Sequence, residues 1–419
     1  MVRSDIEIMA PVGSYESLMA AIQGGAGSVY FGVEHLNMRS RSANNFTLDD
    51  LRKIVEISSA KGVKTYLTLN VEIFDTEREQ MHAVLDAAKA AGVSAVIAAD
   101  ISVIMYARVI DLEVHISTQV NITNFEAVKF YAQFADVVVL AREMNLGRVT
   151  EIHQQIVEQQ VKGPSGKLVR LEMFVHGALC MAVSGKCYLS LHEMNSSANR
   201  GSCLQTCRRA YVVTDKETGA ELEIDNDYIM SPKDLKTIHF LNKILDSGVS
   251  VLKIEGRARS AEYVKTTVEC YHEAVEAYLE GTFTEEKVNR WDEKLASVFN
   301  RGFWDGYYLG QRLGEWSGNY GSLATKRKIY IGKCTNYFNN IQVAEFKLET
   351  QNLNKGDEII ITGPTTGVIQ TEANEIRYEL NPVEEAYKGQ FISIPVDKKV
   401  RRQDKLYKVV DASEVKHRR

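Results

Sequence analysis

Several signals that would assign a chain quickly are missing from these 419 residues. No apolar run is long enough to cross a bilayer, and the opening MVRSDIEIMAPVGS lacks the hydrophobic stretch of a secretory signal. The expectation is a cytoplasmic protein with no membrane partner. Positive charge is not in excess either. The formal net charge is −5, so any contact with a polyanion must come from local basic runs. Those runs are Arg208 with Arg209, Lys326 to Lys328, Lys398 to Arg402 and Lys416 to Arg419. Common catalytic signatures are absent too. His192-Glu193 and His272-Glu273 have no second histidine at zincin spacing, and no GxSxG elbow occurs. Cys203-Leu-Gln-Thr-Cys207 has no third cysteine two residues on, which excludes the radical S-adenosylmethionine pattern. No GxGxxG follows the first apolar run, so a dinucleotide cradle is not expected.

What is present is an ordinary globular composition, 45% hydrophobic and 25% charged, over a length that suits two or three domains. Short apolar runs alternate with helix-length amphipathic stretches. The runs are Ile6–Pro11, Ser28–Val33, Lys64–Asn70, Ala95–Asp100, Glu113–Gln119, Val137–Arg142, Arg170–His176 and Val251–Glu255. Eight strands buried on both faces, with intervening helices, predict an α/β fold, a TIM-like (β/α)8 barrel. Expected helices include one from residue 44 onward with Thr47 as N-cap, then Glu77–Ala90, Asn124–Phe134, Asp234 to Leu245, Glu262–Glu280 and Glu285–Val298. A β-hairpin is expected over Ala210–Ile224, turning near Lys216 to Gly219. Beyond Gly321 the period changes to two, which predicts a small C-terminal all-β barrel. The expected division is a barrel domain over 1–322, interrupted by an insertion at 177–250, and a β domain over 323–419.

Four of the six cysteines, Cys180, Cys187, Cys203 and Cys207, fall in one segment directly after the seventh apolar run. Cys270 and Cys334 sit in helix and strand patterns and read as core. Four thiolates on one loop can close a metal site. Structural zinc usually takes cysteines in close pairs, and only Cys203 and Cys207 approach that spacing. Disulfides need an oxidising compartment. A cluster ligated by four cysteines is the remaining candidate beside zinc.

Glu172-x-Phe174-x-His176-Gly177-Ala178-Leu179-Cys180, continued through Gly185-x-Cys187, resembles the signature of the collagenase-like peptidases of family 32 in the unassigned catalytic class. Blocks at Ala10 to Ser14, Val29 to Gly32, Ser231 to Leu235, Lys253 to Arg257 and Asn300 to Phe303 agree with it. The most similar branch is the one concerned with tRNA hydroxylation. That resemblance implies a 4Fe-4S cluster on the four cysteines, hydroxylation of the wobble uridine of tRNA, and prephenate as oxygen source. The partners it implies are tRNA and a small dicarboxylate co-substrate, with a homo-oligomer compatible. Two other roles stay open: a noncatalytic iron-sulfur partner in a hydroxylation complex, as in the family's ubiquinone-pathway relatives, and the peptidase of the family's name.

Barrel enzymes work at the C-terminal ends of their strands. Polar residues gather there: Asn70, Asp100, Thr118, Gln119, Arg142, Glu143, His176, Glu255 and Arg257. A dicarboxylate calls for cations that fork onto it. Arg142 and Arg257 are candidates on that face, and Arg39 and Arg41 look like the family's arginine-bearing loop. Asn70 and Gln119 are further expected substrate contacts. The expected catalytic groups are Glu255 and His176, the latter as acid, base or hydrogen-bond partner of the cysteine loop.

Overall fold

The computed structural model describes residues 2–414 except 35, 39, 41–44, 210, 212, 215, 220, 223–229, 312 and 319–320. The apolar runs become parallel strands: β1 (Glu7–Pro11), β2 (Ser28–Phe31), β3 (Lys64–Leu69), β4 (Ala95–Ala98), β5 (Glu113–Ile116), β6 (Val137–Val139), β7 (Arg170–Ala178) and β8 (Val249–Ile254). Each pairs with the next, β8 pairs with β1, and β7 pairs with β8, which closes the barrel. Strands hidden on both faces can be apolar throughout, which is why they read as continuous runs rather than alternations. Inside the barrel lies a buried cluster that includes Met9, Tyr30, Tyr66, Ile97 and Val251. The larger core lies between the strands and the surrounding helices.

Helices form where apolar side chains recur on one face and a cap starts them. Arg78–Ala91 buries Met81, Val84, Leu85 and Ala88, and ends at Gly92, whose φ of 81° is left-handed. Asn124 caps Phe125–Tyr131 by accepting from the Ala127 N–H at 2.9 Å. Full burial of each large apolar side chain is worth roughly 1.5–3 kcal/mol. Ala261–Leu279 is the longest helix and runs along the barrel wall beside β1 and Tyr15–Gln23.

Two helix expectations are corrected. Thr47 is not a cap: the helix is Asp50–Ser59, and the Thr47 hydroxyl donates to Asp50 Oδ2 instead. The stretch expected as a helix from Asp234 begins as a strand, Asp234–Lys236, and only Leu241–Asp246 is α-helical. The long β7 offers an edge there, and Asp234–Lys236 pairs antiparallel with its Ala178 to His176 end. Local helix preference loses to those ladder bonds. The hairpin forms as Val213–Thr214 against Glu221–Leu222.

From Lys326 to Asp411 eight strands form an antiparallel sheet around a core of its own that includes Ile331, Phe346, Ile361, Ile392 and Leu406. It packs against the barrel helices Tyr15–Gln23 and Ala261–Leu279 through Gly367–Glu372. Gln23 clamps that contact: its Nε2 donates to Thr366 O at 2.9 Å, and its Oε1 accepts from Val368 N at 3.0 Å.

Candidate active site

The C-terminal ends of the strands surround a cavity of about 150 Å³. Cys180, Cys187, Cys203 and Cys207 line one side of it, and Asn70, Gln119, Arg142, Glu255 and Arg257 line the other. Sequence reasoning expected these residues at the mouth, and the fold brings them to one space. Arg39 and Arg41 lie outside the described residues.

The floor is a buried ion pair. Lys253 Nζ donates to Glu172 Oε1 at 2.6 Å, with the two side chains 7% and 0% exposed. The ammonium also sits over the rings of Tyr30 and Phe174, at 5.0 and 5.4 Å. Arg142 stacks on the other part of this wall, its guanidinium 4.2 Å from the Phe174 centroid. Neither Arg142 Nε nor Glu172 Oε2 has a partner among the described residues. Arg257 is held in place from behind: its Nη1 donates to Asn37 Oδ1 and to Thr68 Oγ1, each at 3.0 Å. Gly32 makes that possible, because a Cβ there would collide with Arg257 Nη1 and Asn37. The Tyr30 hydroxyl donates to Ile254 O at 2.9 Å and lies 3.2 Å from Glu255 Oε2, so it fixes the end of β8. Asn70 ties two loops together. Its Oδ1 accepts from Met38 N at 3.3 Å, and its Nδ2 donates to Ser117 Oγ at 3.3 Å.

All four thiols are free. Burial pushes Cys207 up to about 11; Arg208 opposes that, while Cys180, Cys203 and Cys187 add to it. Burial also raises Cys187, again with Cys180 and Cys203 adding. The thiolates therefore feel one another, and only a bound cation would hold them all ionised. They surround the space rather than converge on one point: among the described residues no three His, Cys, Asp or Glu side chains stand close enough to grip one metal ion. Both zinc and an iron-sulfur cluster take four thiolates. The donor set, four sulfurs and no other ligand type, fits iron-sulfur ligation.

His176 does not share this cavity. β7 carries one extra residue opposite the Lys253/Ile254 step of β8, so side chains beyond it switch faces. Glu172 and Phe174 point inward, whereas His176 is packed among Tyr263, Tyr271 and Phe303 at 5.7–6.0 Å between ring centroids. Burial, with Lys236 and Arg259 nearby, lowers its pKa to about 3, and its Nδ1 has no partner among the described residues. Packed in that aromatic nest and outside the cavity lining, His176 does not reach the space a substrate would occupy, so the acid–base role expected for it does not fit. Asp100 likewise turns out to be a helix cap, accepting from Ser102 N at 2.7 Å. Sequence reasoning missed Lys253, Glu172, Tyr30 and Phe174. A lysine inside an otherwise buried strand was the available signal, since such a charge needs a partner or a ligand.

The basic runs are unequal. Lys326 pairs with Glu358, and Lys328 with Glu262 of the helix Ala261–Leu279, so their charge is spent. Lys398, Lys399, Arg401 and Arg402 are exposed, and 416–419 lie outside the described residues. No helix among the described residues is long and apolar enough to cross a membrane.

The profile of peptidase family U32 matches residues 13–318. A Porphyromonas gingivalis protein named collagenase is 65% identical over 405 residues, 97% of this chain and 98% of its own length. The tRNA hydroxylation protein P1 of Bacillus subtilis is 33% identical, over 94% of this chain and 92% of its own length. The 23S rRNA 5-hydroxycytidine C2501 synthase of Escherichia coli is 31% identical, over 74% of this chain and 46% of its own length.

Proposed function

This chain belongs to peptidase family U32, and from that premise we propose that it is an RNA-modifying enzyme that hydroxylates the wobble uridine of tRNA to 5-hydroxyuridine. In this reading Cys180, Cys187, Cys203 and Cys207 hold a 4Fe-4S cluster, and prephenate supplies the oxygen. The observation that carries it is the meeting of four thiols with Arg142, Lys253 and Arg257 around one cavity at the catalytic end of a barrel. Relatives named for tRNA and rRNA hydroxylation support the RNA substrate.

A bound cluster supplies electron transfer or activation of a neighbouring ligand, since four protein ligands leave no iron open. The chain's own groups do the rest. Arg142 and Arg257 present guanidinium forks to the donor's carboxylates. Lys253, already neutralised by Glu172, holds the cavity's floor in register rather than adding free charge. Glu255, fixed by Tyr30, is the carboxylate placed to take or return a proton at the reacting base. Phe174 and Tyr30 offer the apolar surface that excludes water from one wall. The exposed Lys398–Arg402 run of the β domain is a further RNA contact.

The 65% identical relative's name keeps peptidase activity as a second reading. Against it, a cysteine nucleophile needs a lowered pKa and an adjacent base. Cys187 and Cys207 are raised, Cys270 and Cys334 are buried and pushed up to about 12, and His176 is sealed away from the thiols. Nucleoside analysis of tRNA from a deletion strain tests the first reading: 5-hydroxyuridine and its derivatives should vanish and return on complementation. Unchanged wobble hydroxylation would sink it. Cleavage of a gelatin substrate by anaerobically purified protein, lost on Cys203→Ser, would favour the second.

A further inference from the structure

Beside the thiol-lined cavity lies a second one of about 500 Å³, walled by Arg208, Arg209, Arg259 and Arg301. Two segments form the partition. In the loop after Gly201, Cys203 and Cys207 face the first cavity, while Arg208 and Arg209 face the second. After β8, Arg257 faces the first and Arg259 the second, and Glu255 borders both.

Charge in the second cavity is not balanced. Asp234, 1% exposed, is the carboxylate that Arg259 and Arg301 share, and it is reached only at 3.6 and 3.4 Å. Those are long for charge-assisted hydrogen bonds, which run about 2.7–2.9 Å. Both guanidiniums lie against Phe299, at 3.6 and 5.2 Å from its centroid, which orients them without consuming donors. Arg208 donates to Ser231 Oγ, Pro232 O and Leu179 O, and Asp234 and Arg301 act on its charge in opposite senses. Arg209 stands exposed at the rim, next to the exposed Leu204.

We infer that this arginine cavity is a phosphodiester subsite for single-stranded RNA, seating the backbone beside the base offered to the thiol-lined cavity. The inference rests on the RNA-modifying reading and deepens it. An enzyme acting on a base must take it out of its stack and hold the flanking backbone. A surplus of arginine at an open rim over an aromatic ring suits a phosphate with its neighbouring base. The first cavity is already assigned the cluster, the donor and the reacting base, which leaves the flanking phosphate to the second.

The test is direct binding of an unmodified tRNA anticodon stem–loop, and separately of prephenate, to the purified full chain and its variants across a salt series. Arg209→Gln and Arg301→Gln should each weaken stem–loop binding about tenfold and flatten the log–log salt slope by about 0.7. Prephenate binding should not change. Arg301→Lys should recover much of the loss, since phosphate accepts a point charge. If Arg301→Gln unfolds because the buried Asp234 loses one of its two cations, the rim residue Arg209 still decides the matter. Unchanged RNA affinity and slope in Arg209→Gln would overturn the proposal, and weakened prephenate binding would reassign the cavity to the small donor. These readouts need no turnover. Arginine-dependent RNA binding by a protein whose deletion leaves wobble hydroxylation intact would retire the functional reading while the subsite stood.

Discussion

The two ends of the barrel bury charge in opposite ways. At the N-terminal end Glu7 accepts from the Tyr66 hydroxyl at 2.6 Å, meets Arg170 at 3.1 Å and Lys64 at 3.4 Å, while Glu113 and His115 pair at 3.1 Å. Glu7 there has two cations. At the C-terminal mouth Glu172 has one oxygen without a partner among the described residues, Arg142 rests on a ring, and four thiols that form no disulfide line the same cavity. Both ends satisfy the requirement that buried charge be paired, but only the mouth keeps bonding capacity in reserve. One end therefore holds the barrel together, and the other is built to bind.

Three substitutions would break or sharpen that contrast. The largest effect is expected from Lys253→Met, which strands the fully buried Glu172. Denaturant melts should show a loss of about 3–5 kcal/mol, largely restored in Lys253→Met/Glu172→Leu. A loss under about 1 kcal/mol would mean that water reaches Glu172. Next comes Glu7→Gln at the closed end. Burial would raise the Glu7 carboxyl, but Arg170, Lys64 and the Tyr66 hydroxyl together outweigh it and hold the pKa at about 2. A depressed carboxylate stabilises the fold above its unfolded pKa, and that contribution is lost as pH falls toward 2. The substitution should cost about 3 kcal/mol at pH 7, with the gap from the parent closing between about pH 4.5 and 2, and the proposed RNA hydroxylation should persist. The smallest effect belongs to His176→Phe, a nearly volume-conserving change in an aromatic nest. It should cost less than about 1.5 kcal/mol and leave activity intact. A tenfold or greater fall in activity with the fold intact would restore an acid–base role.

The same contrast explains what could be read in advance. β1 to β8 follow the eight apolar runs within a residue or two at most ends, because burial on both faces leaves an uninterrupted hydrophobic signature. The cysteine loop was visible from residue identity and spacing alone. Pairing geometry was not. Periodicity does not reveal the extra residue in β7 that turns His176 outward, nor the edge that converts Asp234–Lys236 into a strand. Lys253 and Glu172 lie far apart in sequence and meet only because β7 and β8 close the barrel. The arginines of the second cavity likewise come from three separate segments, so no local motif announces it.

The most direct measurement is iron and acid-labile sulfide in the anaerobically purified full chain, beside single Cys→Ser variants at 180, 187, 203 and 207. About four of each per chain, lost in each variant, is the predicted result. Colourless protein carrying one zinc, or iron that survives these substitutions, would contradict the account.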